Sequence, residues 1–307
     1  ADRGNRHWNR AIRAATRADE LFTVNEDRQK ALRAQGITTF ITHRMDGITR
    51  GTSAAVLAAG RSANEDIIAP AASAHFSFRK GTSPDDYPGS LMGAIALLRQ
   101  TLFDAEWYAE NGRLAEVDAD LRALAGQLSL PLVFEANDRN DVPRIARITQ
   151  EHRLTPIVKG AGDEYARLGD VLASGPPLIV PLNLPDAYDV EDPFAALEVS
   201  LAKLKHWELA PTNAARIAEA GGTFCFTLHG LKEPGTMWEA LRHMVRCGLD
   251  STVAIAALTT VPAKLFHLDD RLGALRPGLL ANLIISSHHL LDARNTVHET
   301  WVAGRRF

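Results

Sequence analysis

The sequence predicts an α/β fold: a TIM-like (β/α) barrel that is incomplete at strand one, followed by a small C-terminal β appendage. Three observations carry this expectation. From residue 113 onward, short apolar runs alternate with amphipathic stretches: 114–127 precedes PLVFEA, 141–152 precedes TPIVKG, 163–174 precedes PPLIVPLN, and 193–219 precedes GTFCFTLHG. Apolar strands separated by helices imply parallel β/α units. No GxGxxG follows any of these strands, which favours a barrel over a doubly wound sheet. The tail then changes character, with two β-like runs, LANLIISS and TVHETWVAG, between Gly and Pro turns.

Taken in order, residues 6–35 read as helical, with Gly36 as the stop signal. ITTFITH at 37–43 is rich in β-branched residues and reads as a strand emptying into a polar loop, HRMDGITRG. A second apolar stretch, DIIAPAASAHFSF, leads to a Gly, Pro and Asp loop at 81–89. LMGAIALLRQTLFDAEWYAE has the apolar spacing of one long amphipathic helix, with Trp107 and Tyr108 read as core or as a subunit contact. Strands are thus expected near residues 37, 68, 131, 155, 178 and 222, giving six or seven β/α repeats. LNLPDAYDVEDPFAAL is acidic but lacks the alternating acids and central Gly of a calcium loop, so it reads as a turn with an Asp helix cap before Pro193. The expected division is residues 1–270 for the barrel and 271–307 for the C-terminal part of a small composite β domain.

Composition narrows the function classes. The chain has 307 residues, 46% hydrophobic and 23% charged, which is ordinary for a globular protein with a sizeable core. With 34 basic against 37 acidic residues the net charge is -3, so no nucleic acid partner is expected. No apolar run reaches the length of a membrane span. Cys225 and Cys247 sit in contexts that suit reduced, buried thiols. The sequence opens ADRGNRHW, with no Met and no signal-peptide pattern, and a longer polypeptide or a homo-oligomer is expected to complete it. The compartment, cytoplasmic or periplasmic, is left open.

The tail, with TTVPAKLFHLDDRLGALRPG before it, resembles the C-terminal part of the amidohydrolase superfamily, especially its imidazolonepropionase-like members. The shared features are the P-A-x-L helix end at Pro262, Ala263 and Leu265, then G-x-L-x-P-G from Gly273 to Gly278. A strand of the form A-D-L-V-V follows, with Asn282 in place of Asp, and then V-x-x-x-W-V-x-G-R from Val297 to Arg305. GITTFITH, DVPRIARITQEHRL, GDEYARLGDVLASG and NAARIAEAGGTFCFTLHG extend the resemblance over residues 36–307. It implies a hydrolase of non-peptide C–N bonds in a small or cyclic amide, with divalent metal such as zinc as cofactor. Metal-bound water, its pKa lowered towards about 7, would be the nucleophile.

The ligand positions depart from that pattern. Where the family reads V-H-A-H-R-A-D-D-I this chain has FEANDRNDV, placing Glu135 and Asn137 at the two histidines. The strand-six histidine falls on Gly160, the strand-eight aspartate falls on His229, and the chain contains no H-x-H pair, His288 and His289 being adjacent. Strand alternation instead gathers Glu135, Lys159 and His229 at one barrel mouth as candidate catalytic groups for acid/base chemistry without metal. The competing reading is a Glu135–Lys159 salt bridge filling a vacated metal pocket. Glu135 and His229 are also the candidate metal ligands. Small-molecule contacts are expected from His43, Arg44, Asn137, Asn183 and Asp186, and from Ser77, Arg79 and Lys80 at another strand end. Cys225 reads as core rather than nucleophile. Two function classes follow: a superfamily hydrolase with an atypical site, or a pseudo-enzyme domain that binds a ligand or partner.

Overall fold

The computed structural model describes residues 5–112, 117–189, 191, 194 and 197–307. The Asp cap before Pro193 and the start of the helix expected at 114 lie outside the described residues.

Seven strands form one sheet in the order β1 to β7: Thr39–Thr42, Thr49–Leu57, Ile67–Ser77, Leu132–Glu135, Pro156–Lys159, Leu178–Pro181 and Phe224–Thr227. From β3 to β7 each neighbouring pair is parallel, with helices between successive strands: α4 (Leu91–Asn111) and α5 (Ala119–Gln127), α6 (Asp141–Glu151), α7 (Leu168–Ala173), and α8 (Leu201–Leu209) with α9 (Asn213–Glu219). Ser90 and Asp118 cap α4 and α5 by accepting backbone N–H bonds, as the preference for Ser and Asp at helix starts requires. The sheet curls, because residues of all seven strands, from Ile41 of β1 to Cys225 of β7, meet in one apolar cluster on its inner face. The β1 and β7 edges are not joined, which agrees with an incomplete barrel.

Three sequence expectations need correction. β2 was missed: the stretch read as a polar loop running on from residue 43 enters a nine-residue strand, antiparallel to both β1 and β3. All nine of its residues are buried, and both of its faces are covered, so no polar/apolar alternation marks it. Its small residues, TSAA, further hide it from β propensity. Second, residues 6–35 are helical only at α1 (Ala18–Leu21) and α2 (Glu26–Ala34). The segment before them is a strap laid on β2, with Ile12 and Arg17 bridging Thr49 and Thr52, and the Asp120 carboxylate accepting from the backbone N–H groups of His7 and Ala15. The strap comes so close that a Cβ on Gly51, at φ +75, would sit 1.8 Å from the Thr16 carbonyl oxygen. Third, of the two readings for Trp107 and Tyr108, core holds for the buried Tyr108 but not for Trp107, which is exposed.

Behind β7, α10 (Met237–Arg246) leads to α11 (Ser251–Ala256) and α12 (Thr260–Leu265). Leu265, Phe266 and Leu268 then plug the inner face beneath Val133, Ile157, Ile179 and Cys225. The tail forms an antiparallel sheet, β8 (Leu283–Ser286), β9 (Val297–Val302) and β10 (Arg305–Arg306), in the order β10-β9-β8. Cys225 and Cys247 are both free thiols.

The larger core lies between the outer face of the sheet and the helices, and at its centre Phe76 of β3 stacks on Phe134 of β4 with ring centroids 4.5 Å apart. Both rings are about 1% exposed. Phe134→Ala is expected to lower unfolding free energy in urea by about 3–5 kcal/mol. A loss under about 1 kcal/mol would mean that the two strands are not held by this packing.

Candidate functional site

β4, β5 and β7 each place an apolar residue on the inner face and a polar one two residues later, at the C-terminal end: Val133 then Glu135, Ile157 then Lys159, Cys225 then Thr227. The apolar set closes the interior, and the polar set lines the mouth. Register sets Glu135 beside both Ser77 and Lys159, so two of the sequence-derived candidates come together through strand pairing alone.

Glu135 is the centre of the cluster. Its Oε1 accepts from Lys159 Nζ at 3.0 Å, and its Oε2 accepts from Arg50 Nη1 at 2.5 Å. Lys159 Nζ also lies 2.9 Å from His229 Nδ1. An ammonium group has only donors, so Nδ1 must accept and the neutral ring carries its proton on Nε2. His229 follows β7 and is oriented by its own N–H, which donates to Thr227 Oγ1 at 3.1 Å.

Arg50 is the residue that sequence reading missed. It sits on the unrecognised strand β2, is 5% exposed, and is fixed by Nε donating to the Gly47 carbonyl at 3.1 Å. Only recognition of β2 would have shown that its side chain enters the mouth. His75 was missed too. It is buried on β3, its Nε2 lies 2.9 Å from Ser73 Oγ, and Ser73 Oγ is 2.6 Å from Ser53 Oγ. Its ring stacks on His43 with centroids 3.7 Å apart, so His43 does reach the interior.

Other candidates go elsewhere. Arg44 is half exposed and turns to Asp46, which is held mainly by Arg13 and Thr82. Asp186 pairs with Lys232 at 3.1 Å, both about 85% exposed. Asn137 accepts from Arg79 and donates to Asp141 at 3.0 Å. Asn183 is exposed beside Gly230, where a Cβ would lie 2.5 Å from its Nδ2. Lys80 donates to the Asp85 carbonyl, away from the mouth. Ser77 is buried and accepts from the Arg79 N–H.

The electrostatics follow from these contacts. Burial works to raise the Glu135 pKa, but Lys159 and Arg50 outweigh it and hold the carboxyl at about 2. His43 is pushed down to about 4, first by burial and then by the Arg50 charge. His75 is pushed down by burial, and His229 by burial and by Lys159. Burial raises the Cys225 thiol to about 12, so it is inert core. At neutral pH the mouth therefore presents an ionised Glu135, neutral imidazoles and the cations Arg50 and Lys159.

The side chains present do not fit a divalent ion. Among the described residues no three His, Cys, Asp or Glu side chains are arranged to hold one. The two candidate ligands, Glu135 and His229, both direct their acceptor atoms at the Lys159 ammonium. At Gly160 a Cβ would lie 2.2 Å from Glu164 Oε1. That carboxylate is fully buried and engaged by the N–H groups of Ala161 and Gly162 and by Asn213 Nδ2. A histidine at position 160 would displace it.

Comparison with known proteins gives a consistent frame. The model of the amidohydrolase family matches residues 213–306. An amidohydrolase from Thermotoga maritima MSB8 superposes with a TM-score of 0.78 at 20% identity, covering 97% of this chain and 79% of that one, which establishes likeness of fold. A Xaa-Pro dipeptidase with bound methionine gives a TM-score of 0.42 at 14% identity over 62% of this chain and 57% of its own. Molinate hydrolase gives 0.42 at 18% identity over 62% and 45%. These two likenesses are too loose to carry an argument. No curated protein matches the sequence significantly.

Two outcomes follow from the charge arrangement. Glu135→Gln leaves Arg50 and Lys159 without their counter-ion and is expected to cost about 3–5 kcal/mol in urea unfolding; a cost near zero would mean the carboxylate is not needed to hold them. The second concerns pH. With His43 at about 4 in the fold against 6.5 ordinarily, the unfolded chain binds more protons between these values. Stability is then complete above pH 6.5 and declines as pH falls towards 4, by up to about 3 kcal/mol for this ring. Glu135, at about 2 against 4.5, adds a further loss below pH 4.5. His43→Gln should reduce the slope between pH 6.5 and 4, and unchanged stability of the parent over that range would remove the buried neutral imidazoles from the account.

Proposed function

We propose, from the premise that residues 213–306 are amidohydrolase-family sequence on an amidohydrolase-like fold, that this chain binds a small molecule at the strand-end mouth through a metal-independent charged cluster, as a pseudo-enzyme domain. The observation that carries this reading is the Lys159 ammonium seated between Glu135 and His229, the two side chains that could otherwise have bound an ion. A carboxylate held at about 2 is a weak base at neutral pH. His229, with Nδ1 occupied, presents an N–H rather than a lone pair. The mouth therefore offers donors and positive charge, which suits a carbonyl or an oxyanion of a ligand better than activation of water.

A second reading is favoured by the family match itself, which spans His229. In that reading the chain hydrolyses a non-peptide C–N bond of a small or cyclic amide, with Lys159 as proton donor and His229, after Lys159 moves, as base. Ligands for a metal would then come from sequence beyond the described cluster.

One experiment separates the two. Protein stripped of metal, re-exposed to zinc or manganese and desalted, is expected to retain far less than one ion per chain by elemental analysis, and to release no amine from a panel of cyclic amides. One or two ions per chain, lost in Glu135→Ala and His229→Ala, would overturn the metal-independent reading and establish a rebuilt metal site.

A further inference from the structure

The loops that follow β4 and β5 line, together with α8 and α9, a cleft of about 580 Å³. Three cations line it, Arg139, Lys205 and Arg216, against one carboxylate, Asp163. Arg139 is neutralised within the cleft, since its Nη1 donates to Asp163 Oδ2 at 2.6 Å and its backbone N–H donates to Oδ1 at 2.9 Å. Arg216 and Lys205 have no ion pair or hydrogen-bond partner among the described residues. Lys205 is exposed on α8 and would be at ease in water. Arg216 is not: it is half-buried on α9.

A half-buried guanidinium with no protein acceptor is a poor arrangement in the absence of something to bind. Its fork of N–H donors is shaped for a carboxylate or a phosphate. Tyr165 and His206 also line the cleft and add polar atoms at a fixed place, because the Tyr165 hydroxyl and His206 Nδ1 are 3.0 Å apart and their rings lie nearly parallel. The cleft is also continuous in sequence with the mouth. Two of its lining residues, Asn137 and Ala161, stand two positions after Glu135 and Lys159 on the same strand ends.

The geometry points to this cleft as an oxyanion subsite: the ligand of the mouth is a small molecule bearing a carboxylate or phosphate group, which Arg216 and Lys205 hold while the rest of the molecule reaches Lys159 and His229. This rests on the reading of the mouth as a small-molecule site, and it narrows the ligand to an anionic class. The oxyanion is bound by charge and hydrogen bonds, so no covalent step is involved.

Inorganic phosphate and succinate are the two probes, titrated into the full chain by calorimetry at low and moderate salt. At least one is expected to bind, with affinity that falls as salt is added; phosphate alone would assign a phosphorylated ligand, and succinate alone a carboxylated one. Arg216→Gln with Lys205→Gln is expected to weaken binding about tenfold or more, since two charge-assisted contacts are removed. Lys205→Gln alone, at an exposed position that folding does not depend on, is expected to weaken it about threefold. Lys232→Gln, at an exposed cation outside both the cleft and the mouth cluster, should leave probe binding within about twofold. If neither probe binds, or if binding survives the double change, the cleft is not an oxyanion subsite. If binding survives the double change but is lost in Lys159→Met, the oxyanion sits at the mouth, and the mouth reading stands without the cleft. Retention of metal in the elemental analysis above would instead defeat the mouth reading and leave the cleft result to be judged by these titrations.

Discussion

A carboxylate half out of water, with a cation on each oxygen, is the constraint around which the mouth is organised. Glu135 alone at the end of β4 would be costly to bury as an ion, and Arg50 and Lys159 would be costlier still without it. The three come from β2, β4 and β5, so a single carboxylate binds the antiparallel beginning of the sheet to its parallel half. Arg50 can arrive only because β2 inserts between β1 and β3 with a register shift between Thr49 and Thr52. The Gly51 backbone in that irregular stretch takes a left-handed φ that admits the strap of residues 12–17 on its other side. Topology, packing and charge are one problem here, solved at one place.

The same pairing limits the chemistry. A general base should have a pKa near the working pH, and a carboxyl fixed by two cations lies far below it. Moving a proton to Glu135 would first require loss of one ion pair. His229 faces a related limit, since Lys159 takes its Nδ1. Glu164 sets a further one by filling the space beside Gly160 and spending its oxygens on two backbone N–H groups and Asn213, which locks the β5 loop in shape. Both features support the proposed binding role of the mouth.

The parallel half of the fold was legible because β4, β5 and β7 obey a simple pattern: three apolar residues, then a polar one at the end, with helices between the strands. Glu135, Lys159 and His229 were found that way, from alternation along strands whose order follows the sequence. Arg50 and His75 were not, for a physical reason. β2 is buried on both faces and built of Thr, Ser and Ala, so the signal that marks a strand, contrast between its two sides, is absent. Arg44 and Asp186 instead pair with nearby loop charges: residues at strand ends are free to turn to a neighbouring counter-charge, Asp46 for one and Lys232 for the other. The strap before α1 falls within the stretch 6–35 expected as helix, but its backbone bonds are claimed by β2 and by Asp120, a tertiary demand that local propensity does not register.

The tail raises the last question, that of the unjoined β1 edge. Two β runs alone would leave a second exposed edge, which proteins usually cover. The molecule meets the demand at α2 and β1 rather than by extending either sheet. Asn282 donates to Thr39 at the start of β1 at 3.0 Å, Thr300 donates to the Arg33 carbonyl at 2.7 Å, and Phe307 folds back to pair with Thr300 and receive the Arg33 guanidinium over its ring. Gly36, at φ +80, brings the chain from α2 into β1 with Ile284 of β8 in contact where its Cβ would be. The small sheet thus fixes the angle at which β1 enters, and with it the position of His43, one residue beyond β1, against His75. The mouth is held from two sides: the strap of residues 12–17 lies on β2, which carries Arg50, and the small sheet sets β1, which delivers His43 against His75.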